Sequence, residues 1–240
     1  MSPIEKGASQ IGSKKIDTKK NKKFLVINFK NYRSGVGSRA VKLAMLIEEV
    51  SFNYPNVEVF LIVEPADVYR VSHSTRLKVF SVADPVDFGR HTGSVIAEDL
   101  KENGAVGLLI NHSEARLKFD AIKFLVMKAR ILRMKSMVCC KDIKELKKII
   151  GLKPDFIAIE PPELIAGDIS VSEAKPSLIK NAVKVSQHYK IPLLCGAGVK
   201  TTSDVKKALY YGSNGVLVAS GIVNAKNKKT ALKRILQGFI

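Results

Sequence analysis

One apolar run of this chain ends on a carboxylate. Phe156, Ile157, Ala158 and Ile159 lead directly into Glu160, and Pro161 and Pro162 follow. The run reads as a buried strand, and the prolines stop it because neither can donate to a sheet ladder. Desolvation at a strand mouth raises a carboxyl pKa, which suits a positioned general base. The plainer alternative is a strand-end Glu that reaches solvent. Other apolar runs end on reactive types too. The first ends at Asn28, with Lys30 just beyond, and another ends at Asn111-His112-Ser113-Glu114. A neutral His112 would be a donor able to stabilise a developing oxyanion. Ser113 and Glu114 could equally open a helical turn, whose positive end disfavours an imidazolium. Two further runs end in Gly196-Ala197-Gly198 and Ala219-Ser220-Gly221. Small residues let backbone N–H groups close on phosphate oxygens. Tight turns also favour Gly for steric reasons, but two such turns in succession favour the phosphate reading.

Positioning these groups takes a regular scaffold. Eight apolar runs read as strands: 24–29, 57–63, 77–83, 105–111, 136–140, 155–160, 191–196 and 215–220. They are continuously apolar, as in a parallel sheet buried on both faces. Between them lie helical patterns. Residues 38–50 place Val41, Ala44, Met45 and Ile47 on one face. Residues 119–134 form the longest candidate helix. The pattern at 142–150 is read as ending on a Gly151 C-cap, and Pro176 opens the one at 175–189. Residues 202–212 are capped by Thr202 or Ser203, and 228–239 closes the set. The helices near 66–74 and 94–103 look short. Eight strands each followed by a helix predict an α/β fold, a single-domain (β/α)8 barrel over 24–240. The rival is a doubly wound open sheet, but the first turn, NFKNYRSGVGS, lacks a dinucleotide fingerprint. In a barrel all these strand ends share one mouth, and the turns after strands seven and eight are a usual phosphate site.

Composition narrows the function. The formal charge is +18. Its lysines are spread along the chain, without an aromatic-interleaved basic motif, so nucleic acid is an unlikely partner and an anionic small molecule a better one. Residues 1–23 include the run SKKIDTKKNKK, lack a periodic apolar face, and are read as a disordered basic extension. No apolar run approaches a membrane span, and the start of the chain lacks an apolar signal segment. Cys139, Cys140 and Cys195 lie in apolar runs, which predicts reduced structural thiols and a cytoplasmic protein. The four histidines have no metal-ligand spacing, so neither a metal nor a cofactor is expected.

Six short motifs, taken in order, carry a resemblance. They are Asn28-Phe29-Lys30, His91-Thr92-Gly93, Asn111-His112-Ser113-Glu114, Glu160-Pro161-Pro162-Glu163-Leu164-Ile165, Cys195-Gly196-Ala197-Gly198-Val199 and Leu217-Val218-Ala219-Ser220-Gly221. Over residues 24–240 the chain resembles the triosephosphate isomerase family, in the wording of its archaeal members. The resemblance implies roles. Glu160 corresponds to the base, His112 to the neutral electrophile, Lys30 to the enediolate-stabilising cation, and Glu114 to the carboxylate that pairs with it. Asn28 positions its neighbours. Phosphate and substrate contacts fall to Asn28, Phe29, Lys30, Ile165, Ala166, Gly198, Ala219 and Ser220. Thr92 corresponds to a residue that reaches a neighbouring subunit, implying a homo-oligomer, dimer or tetramer. Residues 161–168 resemble a lid. Here Ala166-Gly167-Asp168 replaces the family's usual Gly-Thr-Gly, and Ser81-Val82 stands where a Gln is usual.

The substrate implied is a small phosphorylated triose, converted between dihydroxyacetone phosphate and D-glyceraldehyde 3-phosphate in glycolysis and gluconeogenesis. Two rivals remain. An aldolase on the same barrel would want a Schiff-base Lys at a strand end, and only Lys141 is placed for it. A lid-impaired, non-catalytic relative would bind anions or nucleic acid without turnover.

Overall fold

The computed structural model describes residues 22–164 and 170–240. The expected eight strands are present: β1 (Lys23–Asn28), β2 (Val57–Ile62), β3 (Lys78–Ser81), β4 (Gly107–Ile110), β5 (Lys135–Cys140), β6 (Phe156–Ile159), β7 (Leu193–Gly196) and β8 (Gly215–Val218). All pair in parallel, in chain order, and β1 closes on β8 with Ile27 opposite Val218. The open-sheet rival is therefore excluded. The helices between them are α1 (Ser38–Ser51), α2 (Val68–Ser72), α3 (Ala97–Glu102), α4 (Phe119–Ile131), α5 (Ile143–Ile149), α6 (Val171–Ala174), α7 (Pro176–His188), α8 (Thr202–Tyr210), α9 (Ser220–Val223) and α10 (Lys228–Leu236).

The strands are apolar on both faces because each face meets a different core. Phe24, Val26, Phe60, Phe80, Met137, Phe156 and Leu217 are among the side chains that fill the barrel interior. The alternate residues, such as Leu25, Ile27, Ile157 and Ile159, point outward into the larger core under the helices. Aromatic contacts organise the inside: Phe60 stacks on Phe80 at 5.1 Å between centroids, and Phe24 meets Phe156 edge-on at 5.1 Å.

Several boundaries differ from expectation. The basic extension was drawn to residue 23, but β1 begins at Lys23 and Lys22 pairs with Glu58 at 2.7 Å. Residues 1–21, on which the rest of that expectation falls, lie outside the described residues. On α1, Met45 is exposed, and the buried face runs through Ala40, Leu43, Ala44, Ile47 and Val50. Hydrophobicity alone assigned Met45 to the core; the 3.6-residue period set by its neighbours turns it to water. Gly151 does not cap α5. The chain continues as a 3-10 turn over Ile150–Leu152, and Lys153 takes the left-handed position at φ 55°. The cap of α8 is Thr201, one residue before the expected pair. It accepts from the Asp204 N–H while the Asp204 carboxylate accepts from the Thr201 N–H. Strand eight stops at Val218, and Ser220 opens the short helix α9, whose four residues are too few to show helical periodicity.

Gly107 marks a tight point of the interior. A Cβ there would lie 2.2 Å from the Phe80 ring, which is itself fully buried. Gly107→Ala must displace that ring and its stacking partner Phe60. The expected loss is about 1–3 kcal/mol of stability, read as a lower urea midpoint, and an unchanged midpoint would show that the ring has room to move.

Candidate active site at the carboxyl end of the barrel

Each candidate group is held by its own local geometry. After β1 the chain turns through Lys30 at φ 47°. The Lys30 N–H donates to Asn28 Oδ1 at 3.0 Å, so the buried amide of Asn28 shapes the turn that aims the lysine. The Lys30 ammonium then bonds Glu114 Oε1 at 2.7 Å. After β4, Asn111 takes φ 62° and its side chain is tied on both ends. Its Nδ2 donates to the Cys139 carbonyl at 2.9 Å, and its Oδ1 accepts from the Leu117 N–H at 3.0 Å. Arg116 donates to the Asn111 carbonyl at 3.1 Å and pairs with Glu145. This fixes the loop that carries His112.

His112 is not at a helix N-terminus, as α4 begins only at Phe119. A backbone donor sets its state instead. The Glu114 N–H reaches His112 Nδ1 at 3.3 Å, and a ring nitrogen that accepts carries no proton. The ring proton therefore sits on Nε2, which faces Glu160 Oε2 at 3.9 Å. That gap is too wide for a hydrogen bond.

Glu160 is buried at 5% exposure, so the solvent-reaching alternative does not hold. Its Oε2 has no hydrogen-bond partner among the described residues. Burial pushes this carboxyl above its ordinary value. His112, a hydrogen bond from the Cys139 thiol, and Lys30 oppose the push, while Glu114 adds to it. Cys139 is fully buried, which holds its thiol well above the ordinary range and keeps it a donor. All three cysteines are buried free thiols, and burial pushes Cys195 up to about 12. Gly196 makes room for the base: a Cβ there would stand 2.8 Å from Glu160 Oε1.

Glu160, His112 and Lys30 line one cavity together with Gly198, Ala219 and Ser220. Ala197 and Gly198 both have positive φ, at 154° and 68°. Across the cavity α9 opens at Ser220, and its Ile222 and Val223 N–H groups both donate to the Ala219 carbonyl, at 3.1 and 3.0 Å. The Ser34 hydroxyl donates to the Val223 carbonyl at 2.6 Å and ties the β1–α1 loop to α9. Asn28 and Glu114 line the adjoining cleft, with Lys30 and His112 shared between the two.

Some expectations need correction. Phe29 is fully buried in the core under the helices and does not line the cavity. It supports the β1–α1 loop, where a Cβ on Gly35 would stand 2.7 Å from its carbonyl oxygen. Ile165, Ala166, Gly167 and Asp168 lie outside the described residues, though the approach to them, Pro162–Leu164, is a 3-10 turn. Thr92 is exposed on the β3–α3 loop. Two residues of the cavity wall escaped the sequence reading, Tyr32 and Lys200. Each follows a recognised motif by one or two positions, and that adjacency was the available signal. Among the described residues, no group of three or more His, Cys, Asp and Glu is placed to hold a metal. No helix among them is long and apolar enough to cross a membrane.

Comparison with known proteins decides the family. The model of the family described as triosephosphate isomerase matches residues 23–237. The chain belongs to the triosephosphate isomerase family. It is 41% identical over 215 residues to the triosephosphate isomerase of Methanothermus fervidus, covering 88% of this chain and 96% of that protein. It is 40% identical over 215 residues to that of Archaeoglobus fulgidus, with the same coverage. In Saccharolobus solfataricus the identity is 39% over 218 residues, covering 90% and 94%. The crystal structure of the Bartonella henselae triosephosphate isomerase superposes with a TM-score of 0.71 at 21% identity, covering 91% of this chain and 99% of that one, which shows the shared fold. The archaeal wording of the motifs agrees with these relatives, and family membership implies a triose phosphate substrate.

The buried base has a thermodynamic signature. Its folded pKa lies above the ordinary value of 4.5. Ionising Glu160 is then harder in the fold than in the unfolded chain, so stability falls as pH rises through the raised pKa. Below the unfolded value both states are protonated and the penalty is absent. Glu160→Gln removes the titration. It is expected to match wild type in urea midpoint near pH 4 and to exceed it increasingly toward pH 8. A constant difference across that range would contradict the raised pKa.

Proposed function

We propose that this chain interconverts dihydroxyacetone phosphate and D-glyceraldehyde 3-phosphate through an enediolate, in glycolysis and gluconeogenesis, in the cytoplasm, as a homo-oligomer. One observation supports the reaction most. A buried carboxylate oxygen without a partner among the described residues faces a ring nitrogen that carries the imidazole proton, 3.9 Å away. A base and a donor that do not satisfy each other are both available to a substrate between them.

The roles follow from that geometry. The Glu160 carboxylate takes a proton from C1 of dihydroxyacetone phosphate, and the electron pair moves through C1–C2 onto the C2 oxygen. The His112 Nε2–H donates to that oxygen as its charge grows. Lys30 stabilises the same charge from the other side, held in register by Asn28 and Glu114. A proton passes between the two enediolate oxygens by way of His112, and Glu160 returns its own proton to C2, which completes the aldose. The phosphate sits against the Gly198 turn and the Ala219–Ser220 start of α9. Burial of Glu160 makes it a stronger base than an exposed carboxylate. The aldolase alternative is disfavoured because Lys141 is not among the residues lining the cavity that holds Glu160 and His112. Thr92, exposed on its loop, is the proposed contact with a neighbouring subunit.

A coupled isomerase assay tests the reading. Glu160→Gln is expected to lower kcat by at least about 100-fold while leaving inorganic phosphate as a competitive ligand. Retention of activity within a few-fold of wild type would remove Glu160 from the base role.

Residues 1–21 precede β1 and are proposed to be dispensable for catalysis. Their deletion, which leaves the Lys22–Glu58 pair intact, is expected to change neither kcat/KM nor the oligomer mass by light scattering. A fall in either would assign the extension a part in assembly or in the site.

A further inference from the structure

The two groups assigned to proton transfer stand on different loops. Glu160 follows β6, while His112 follows β4 and faces the base across 3.9 Å. Donation from Nε2 to a growing charge depends on direction as well as distance. Whatever holds the imidazole in its direction is therefore part of the chemistry. Residues 111–117 are tied largely to one another. The Ala115 N–H donates to the His112 carbonyl at 2.9 Å, the Leu117 N–H to Asn111 Oδ1 at 3.0 Å, and Arg116 to the Asn111 carbonyl at 3.1 Å. A loop closed on itself can shift as a unit unless a group outside it fixes its place.

One carboxylate outside the loop does so. Glu145 lies in the first turn of α5, where an acid ordinarily caps the helix. Its Oε2 has that role and accepts from the Lys141 N–H at 2.8 Å, while Asp142 Oδ1 accepts from the Glu145 N–H at 2.8 Å. Its Oε1 turns to the β4 loop, where it accepts from Asn111 Nδ2 at 3.2 Å and from the Arg116 guanidinium. Burial opposes the charge, but Arg116, the Lys141 N–H and Asn111 outweigh it and hold the carboxyl below its ordinary value, so Glu145 stays an anion. The Asn111 amide is thereby fixed. Both of its N–H bonds are taken, by Glu145 and by the Cys139 carbonyl at 2.9 Å, and a flip would turn Oδ1 onto two acceptors. Asn111 immediately precedes His112 and stands at φ 62°, backbone that persists only where its surroundings impose it.

We propose that Glu145 is a positioning residue for the isomerisation: through Oε1 it holds Asn111 and Arg116 so that the His112 imidazole aims its Nε2 proton at the substrate oxygen. The inference rests on the triose phosphate reading of the site. Glu145 is not among the residues lining the cavity that holds Glu160 and His112, so it acts through its neighbours and not on the substrate.

The test separates the two oxygens. Glu145→Gln keeps the shape of the side chain, but its amide cannot accept from Arg116 and Asn111 on one side and from the Lys141 N–H on the other. Asp142→Ala removes the other cap of α5, leaves Glu145 Oε1 in place, and controls for stability alone. Both variants are expected to lower the urea midpoint. Glu145→Gln is expected to lower kcat for glyceraldehyde 3-phosphate about tenfold, with KM and the dissociation constant of inorganic phosphate within about twofold, because a misdirected donor is missed mainly in the transition state. Asp142→Ala should keep kcat within about twofold of wild type. Arg116→Met should resemble Glu145→Gln, and the double variant should be no slower than the slower single one, as for two residues acting through one contact. The proposal is overturned if Glu145→Gln leaves kcat unchanged, if Asp142→Ala lowers it equally, or if the two single losses multiply in the double variant. The imidazole nitrogen resonances of His112, assigned by comparison with His112→Gln, are read without turnover. Wild type should show a protonated Nε2 and a bare Nδ1. Glu145→Gln should show a mixture of tautomers, because a released loop withdraws the Glu114 N–H from Nδ1. An unchanged nitrogen spectrum would overturn the proposal. An inactive wild type would defeat the isomerase reading, while the spectrum would still decide the part played by Glu145.

Discussion

The mouth of this barrel depends on holding one carboxylate, Glu160, out of water without neutralising it. An isolated buried carboxylate is strongly disfavoured, and proteins usually respond by protonating it or pairing it tightly. Neither is complete here. A thiol, an imidazole and an ammonium each pull the pKa down in part, and burial keeps it raised. That balance explains choices elsewhere. Gly196 gives up a side chain so that the carboxyl fits. Cys139 serves as a weak donor where a stronger one would suppress basicity. The imidazole proton is held on Nε2, toward the carboxylate, by a backbone N–H on the far side of the ring.

The second requirement is that the groups around Glu160 not drift. Lys30 and Asn111 both sit at positive φ, outside glycine, at the ends of β1 and β4. Such backbone is disfavoured for these residues and persists only where its surroundings impose it. Asn28 imposes it at Lys30, and the Cys139 carbonyl and Leu117 N–H impose it at Asn111. The rigid parallel strands supply the fixed points from which these short turns start.

The barrel was legible in the sequence because eight apolar runs, spaced by helical patterns, leave few other ways to bury both faces of a sheet. The reactive strand ends were legible for the same reason, since polarity at the end of an apolar run is conspicuous. What escaped notice had weak local signals. Lys200 is one lysine among many in a basic chain, and only the approach of α9 distinguishes it. The helix α9 was absorbed into strand eight because Ala219 and Ser220 suit either element. Phe29 was assigned to the site through its neighbours Asn28 and Lys30, although alternation along a strand sends adjacent side chains to opposite faces. Met45 shows the converse, an apolar residue whose helical phase points it away from the core.

The tie between Ser34 and Val223 joins segments 189 positions apart in sequence, across the seam where β1 meets β8. Lys30 lies on one side of that seam and Ser220 on the other. During synthesis the first strand therefore leaves the ribosome long before its neighbour exists, and must wait with one edge and its lysine turn unsupported. Pairings so distant in sequence are slow to form, because the intervening loop must close first. The ligand pocket is then among the last features of the molecule to assemble, and a partly made chain passes through synthesis without a competent site. An anion that binds across the seam would act as a staple on the finished barrel and slow its opening at the place where it closed last.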